Sequence, residues 1–161
     1  MGILLTIFRF LNRDLTGKSW AHEKSHPYFG KMTFYGYKDP SKNYWEAQVP
    51  LPDGSGNVGV TMQGTLEGPT EREEQFCRAL LTDLNPLFAR CRAAFEPVFL
   101  SWVKQPLPLR WQEAFKLDGF QIPKSGSDSG SWEVTYYVEP AGHWFTAVFD
   151  HGAAVRTDVD G

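Results

Sequence analysis

Two blocks of period-two alternation flank a long stripe of apolar residues at three- and four-residue spacing, and that arrangement limits what this chain can fold into more than anything else in it. In the first block, Phe29, Lys31, Thr33 and Tyr35 alternate with Met32 and Phe34. Trp45, Ala47 and Val49 then alternate with Glu46 and Gln48, and Val58, Val60 and Met62 fall on one side. Alternation of this kind marks strands with one buried face, because successive side chains point to opposite sides of a sheet. The runs are separated by "KDPSKN" and "PDGSGN", whose proline, glycine and Asx residues are turn chemistry. A three-stranded antiparallel meander is therefore expected, with Phe34 and Trp45 as cross-strand core partners and Glu46 turned outward.

The second block repeats the pattern. "FKLDGFQIP" reads as a short strand. Trp132, Val134, Tyr136 and Val138 alternate with Glu133, Thr135 and Tyr137, and "HWFTAVFDHG" alternates likewise. "EPAG" between the last two is a tight hairpin signal, and "AAVRTDVDG" predicts one further edge strand.

Between the blocks the chain reads as helical. Thr70 with Glu73 three residues on is a capping-box signature, and Glu71, Glu73 and Glu74 lie in the first turn, where the helix dipole favours negative charge. An apolar stripe follows through Phe76, Leu80, Leu84, Leu87, Cys91, Phe95, Val98 and Trp102. Pro86 and Pro97 should kink or restart the helix, giving two or three consecutive pieces over about 70–104 before "QPLPLR" ends them. The fold class expected is α+β: an antiparallel sheet of two three-stranded meanders with two or three consecutive helices packed on one face. At 161 residues, 42% of them hydrophobic, the chain suits one domain over 21–161, preceded by an N-terminal helix or extension over 1–20.

That extension has its own pattern. "MGILLTIFRFLNRD" sets Ile3, Leu4, Ile7, Phe8 and Leu11 on one helical side, opposite Thr6, Arg9 and Arg13. The segment is amphipathic but too short and too charged to span a bilayer. Docking on the body of the protein, contact with a second copy in an oligomer, and binding to a membrane surface through residues 1–13 all fit it.

Charge narrows the classes of partner. The net charge of −3 argues against a nucleic-acid partner. Residues 1–38 carry +4 and residues 125–161 carry −5, so the two ends either neutralise each other in the fold or form a polar surface for a charged protein. Cys77 and Cys91 would lie roughly 21 Å apart on one helix, beyond disulfide reach, and are expected to stay reduced and buried. With no secretory signature in the sequence, a cytoplasmic location is expected.

Few motifs carry chemistry. GxSxG, GxxxxGK[ST] and GxGxxG do not occur, and "PDGSGN" joins strands rather than opening a helix. His22 and His26 lack zinc spacing, and "DVDG" lacks the remaining ligands of a calcium loop, so neither a metal nor a cofactor is expected. The remaining candidates are His143 and Asp150 on one strand, with Glu139 and Tyr137 across the hairpin. Seven residues separate His143 from Asp150, which sends their side chains to opposite faces of an ideal strand. They are candidates for binding rather than for catalysis.

The run "HPYFG" into a strand, then "YWEAQV", then helices, then "AGHWFTAVFDHG", resembles small uncharacterised bacterial domains of unknown function. These have an HPxFG-type opening, a Trp-Glu strand and a Gly-His hairpin. The resemblance covers about 26–161 and implies a single-domain cytoplasmic protein. Some similar domains sit among toxin–immunity loci, which implies a non-enzymatic protein-binding module such as an immunity-type inhibitor, and it transfers no catalytic residue. The alternatives are a peripheral membrane or oligomerisation module acting through the N-terminal segment, and an enzyme with an unrecognised site near His143.

Overall fold

The alternating runs become the strands of one large sheet. The computed structural model describes residues 20–161, so the N-terminal extension apart from Trp20, and with it the amphipathic segment and the membrane or oligomer contacts expected of residues 1–13, falls outside the described residues. The strands are β1 (Trp20–His26), β2 (Gly30–Gly36), β3 (Tyr44–Pro50), β4 (Asn57–Gln63), β5 (Phe115–Ile122), β6 (Trp132–Val138), β7 (His143–Asp150) and β8 (Ala153–Asp160). They lie side by side in sequence order as an eight-stranded sheet. Phe34 faces Trp45 across β2 and β3 as expected, with ring centroids 5.0 Å apart.

Two expectations need correction. The sheet is two four-stranded meanders rather than two three-stranded ones, and it is mixed rather than purely antiparallel, because β4 pairs with β5 in parallel. Two successive helices between β4 and β5 carry the chain back to its starting side, so β5 runs in the same direction as β4. The extra strand in the first half is β1, whose sequence WAHEKSH has no apolar alternation and is exposed along nearly its whole length. An edge strand of this kind is held by backbone pairing and charged side chains, so it leaves no hydrophobic signature. Its one large apolar residue, Trp20, lies over Gly36 directly opposite; a Cβ there would come within 2.3 Å of the indole.

The helices are α1 (Glu71–Thr82) and α2 (Leu84–Val103). Thr70 and Glu73 form the expected capping box: Thr70 N–H donates to Glu73 Oε2 at 2.7 Å, and Glu73 N–H donates to Thr70 Oγ1 at 3.3 Å. Asp83 interrupts the helical run and caps α2, its carboxylate accepting the Asn85 N–H at 2.9 Å. Pro86 falls in the first turn of α2, where its missing N–H costs no helical bond. Pro97 lies inside α2 without ending it.

The break at Asp83 resets the helical phase, so the buried line differs from the stripe read across it. Cys77 and Leu81 are buried from α1, and Leu87, Phe88, Cys91, Phe95 and Phe99 from α2. Phe76, Leu80, Leu84 and Val98 pack at the margin, and Trp102 is half exposed. Both cysteines are free, and burial pushes each thiol up to about 12.

Both helices cover one face of the sheet, and the core fills the space between. Its densest part is aromatic. Phe88 stacks on Trp111 at 4.8 Å and meets the edges of Phe115 at 4.9 Å and Tyr136 at 5.4 Å. Phe95 stacks on Phe115 at 5.4 Å. Tyr136 is fully buried there, and its hydroxyl meets no hydrogen-bond partner among the described residues. Two substitutions in this cluster should therefore part ways in urea denaturation. Phe95→Ala leaves a cavity and should cost about 3–5 kcal/mol. Tyr136→Phe removes only an unsatisfied hydroxyl and should be neutral or stabilising by up to about 1 kcal/mol; a loss of more than that would mean the hydroxyl is bonded after all.

Candidate functional site

The four candidate residues are placed by the β6–β7 hairpin and by the turn that follows β7. Val138 pairs with His143 and Tyr137 with Trp144, while Glu139 lies just past the end of β6. His143 projects to the helix side, where its ring meets the indole of Trp102 at 4.4 Å. Tyr137 projects to the other side against Trp144, with centroids 5.0 Å apart. Glu139 pairs with Lys116 at 3.3 Å. Asp150 lies at the far end of β7, about 23 Å away along the strand. Its carboxylate is 2.9 Å from His151 Nδ1 in a two-residue turn where both His151 and Gly152 have positive φ. The hairpin thus gathers His143, Glu139 and Tyr137 at one end of the sheet, on different faces, and leaves Asp150 at the other. Among the described residues no group of three His, Cys, Asp or Glu side chains is placed to hold a metal ion.

Trp102, whose indole meets His143, is 48% exposed on the last turn of α2. Leu100, two residues earlier and so on another side of the helix, is 54% exposed, and Leu109 is 95% exposed on the following loop. Arg92 fixes that loop by donating to the carbonyls of Pro108 at 3.3 Å and Leu109 at 3.1 Å. The leucine is therefore displayed on a loop tied to the helix. Helical spacing puts Trp102 on the apolar stripe. Its position just before Val103, where α2 ends, is the signal that it stands at the rim instead.

The acidity of the C-terminal third is answered in part within the fold. Asp128 pairs with Arg90 and Asp158 with Arg156, in addition to the Glu139–Lys116 pair. Arg90 also bonds the Gly152 carbonyl at 3.0 Å, and its guanidinium lies 4.7 Å from the Phe149 ring. These carboxylates anchor loops as much as they form an acidic surface.

The second face of the sheet is unlike either region. By register it carries Tyr35 and Tyr44, Glu46 and Thr61, Gln48, Thr135 and Thr146, and Trp144 and Val148. Tyr35 stacks on Tyr44 at 5.1 Å, and the Thr135 and Thr146 hydroxyls share a hydrogen bond of 2.8 Å. Glu46 Oε2, both amide atoms of Gln48, Thr61 Oγ1 and Trp144 Nε1 are buried without a hydrogen-bond partner among the described residues. Desolvation by burial raises the Glu46 carboxyl above its ordinary range. Glu46 is on the face away from the helices, as the alternation requires, but it is not a freely solvated residue.

No family model matches the chain, and no curated protein or solved structure matches it either. No helix among the described residues is long and apolar enough to cross a membrane.

The raised carboxyl has a measurable consequence. A folded-state pKa above the unfolded one means that the native state holds its proton more tightly, so ionised Glu46 costs stability at neutral pH and the cost disappears as the pH falls through about 4.5. Glu46→Gln should raise Tm at pH 7, and the gain should vanish below about pH 4. Equal melting of both proteins across that range would place Glu46 in ordinary solvent.

Proposed function

We propose that this chain is a non-enzymatic protein-binding module, such as an immunity-type inhibitor, and that it engages its partner through the end of the sheet where Trp102 meets His143. The carrying observation is the half-exposed Trp102 against that histidine, with Leu100 exposed on the same last turn of α2 and Leu109 on the loop that follows. A half-exposed tryptophan braced by a neighbouring ring is the kind of rigid anchor that dominates protein interfaces, and an apolar loop residue held out to solvent adds area at little ordering cost. His143 meets an indole rather than Glu139 or Asp150, which favours binding over general acid–base work.

Capture with the full chain tests the reading. A specifically retained protein should bind Trp102→Ala and Leu109→Asp at least about ten-fold more weakly than the native chain, since truncating an anchor costs about 2 kcal/mol or more. Leu66→Asp, an exposed leucine on a different loop, should bind as the native chain does. Unchanged affinity in the Trp102 and Leu109 variants, or no specific partner at all, would overturn the proposal.

A further inference from the structure

The second face of the sheet is buried, yet the helices do not bury it. Thr146 is 0% and Thr61 3% exposed, and Tyr44, Thr135 and Val148 are buried as well. Tyr44 and Val148 nevertheless stand outside the hydrophobic cluster that α1 and α2 join. A strand residue on a solvated face keeps part of its surface open to water; burial of residues from β3 to β7 needs a cover above them.

The centre of this face is shaped for close approach. Gly59 on β4 lies directly opposite Gly119 on β5, two side-chain-free positions at the parallel seam. A Cβ on Gly59 would make only ordinary contacts, at 3.6 Å, with the Asp118 carbonyl oxygen and Gln48 Nε2. No described neighbour requires a glycine there. Glycine inside a strand commonly marks the place where another backbone comes near. Around this hollow lie the Glu46, Gln48, Thr61 and Trp144 groups that lack partners among the described residues.

We propose that residues 1–19 close this face in cis, laying the apolar side of an amphipathic helix, with Ile3, Leu4, Ile7, Phe8 and Leu11, over Gly59 and Gly119. Length allows it: the seam between β4 and β5 lies about 17 Å from β1 at the usual strand spacing, and the six residues 14–19 can span about 20 Å when extended. A helix over residues 3–13 covers a further 16 Å or so, roughly three strands. Charge favours it. The segment carries Arg9, Arg13 and Lys18 against Asp14, and the face carries Glu46, Glu133, Asp158 and Asp160 against Lys116 and Arg156. Docked in this way, the apolar side is unavailable to a membrane, so this placement competes with a lipid-binding role for the same residues.

A thiol reporter on the full chain tests the placement. Thr61→Cys puts a thiol beside the glycine pair and replaces a hydroxyl without a described partner, while buried Cys77 and Cys91 report on the helix-side core. In the otherwise native chain Cys at 61 should react slowly with a maleimide. Adding Ile7→Glu and Phe8→Glu should speed that reaction by about ten-fold or more, with Cys77 and Cys91 still unreactive, because reaction then no longer waits on opening of the cover. Equal rates in the two proteins overturn the proposal, and so does protection that weakens on dilution, which would assign the cover to a second copy. Should the double substitution expose Cys77 and Cys91 through loss of the fold, Phe8→Ala alone decides by the same comparison of rates. The readout is independent of the Trp102 site, so either proposal can fail without the other.

Discussion

The aromatic cluster around Phe88, Phe95, Phe115 and Tyr136 is where the long helix, the loop that follows it and the second meander meet, and the remaining geometry depends on that contact. Phe88 reaches Trp111 on the returning loop, Phe115 at the start of β5 and Tyr136 in the middle of β6. By fixing α2 over β5–β7, the cluster sets the direction in which the chain re-enters the sheet, and so the parallel pairing of β4 with β5. It also fixes where α2 ends, which places Trp102 over His143. The exposure of Trp102 against His143 is thus a consequence of core packing several turns away, and needs no organisation of its own.

Alternation made the faces of β2, β3, β4, β6 and β7 legible, because each of those strands is buried on the helix side and every second residue must be apolar. Capping chemistry made the start of α1 legible for an equally local reason. What stayed hidden was whatever a neighbour supplies. β1 is stabilised by its partner's backbone and could be polar throughout. The parallel seam depends on where two helices deliver the chain, which no strand's own residues encode. The helical stripe crosses Asp83, where a side-chain cap resets the phase, and it runs on to Trp102, which keeps the phase of Phe95 but stands where α2 ends.

The candidate site was legible in part for similar reasons. His143, Glu139 and Tyr137 are brought together by a hairpin that "EPAG" announces, so their proximity could be read from the sequence. Their orientations could not be combined into one site, since His143 and Tyr137 occupy opposite faces. The acidity of the last third left open whether the basic N-terminal stretch neutralises it or a charged partner meets it, and it is Arg90 of α2 and Lys116 of β5 that meet part of it. Pairing over such separations is a property of tertiary structure, and composition alone does not predict it.

The single parallel seam also has a bearing on how the molecule assembles. Within each meander every strand pairs with its neighbour in sequence, so the two halves rest on contacts that close short loops. The β4–β5 pairing joins residues some sixty positions apart, such as Gly59 and Gly119, across both helices. Closing that loop carries the largest entropic penalty in the sheet and is repaid only once the helices have docked. The two halves are therefore expected to organise first and the seam last, with native order along the glycine pair as the final event of folding and the first to be lost.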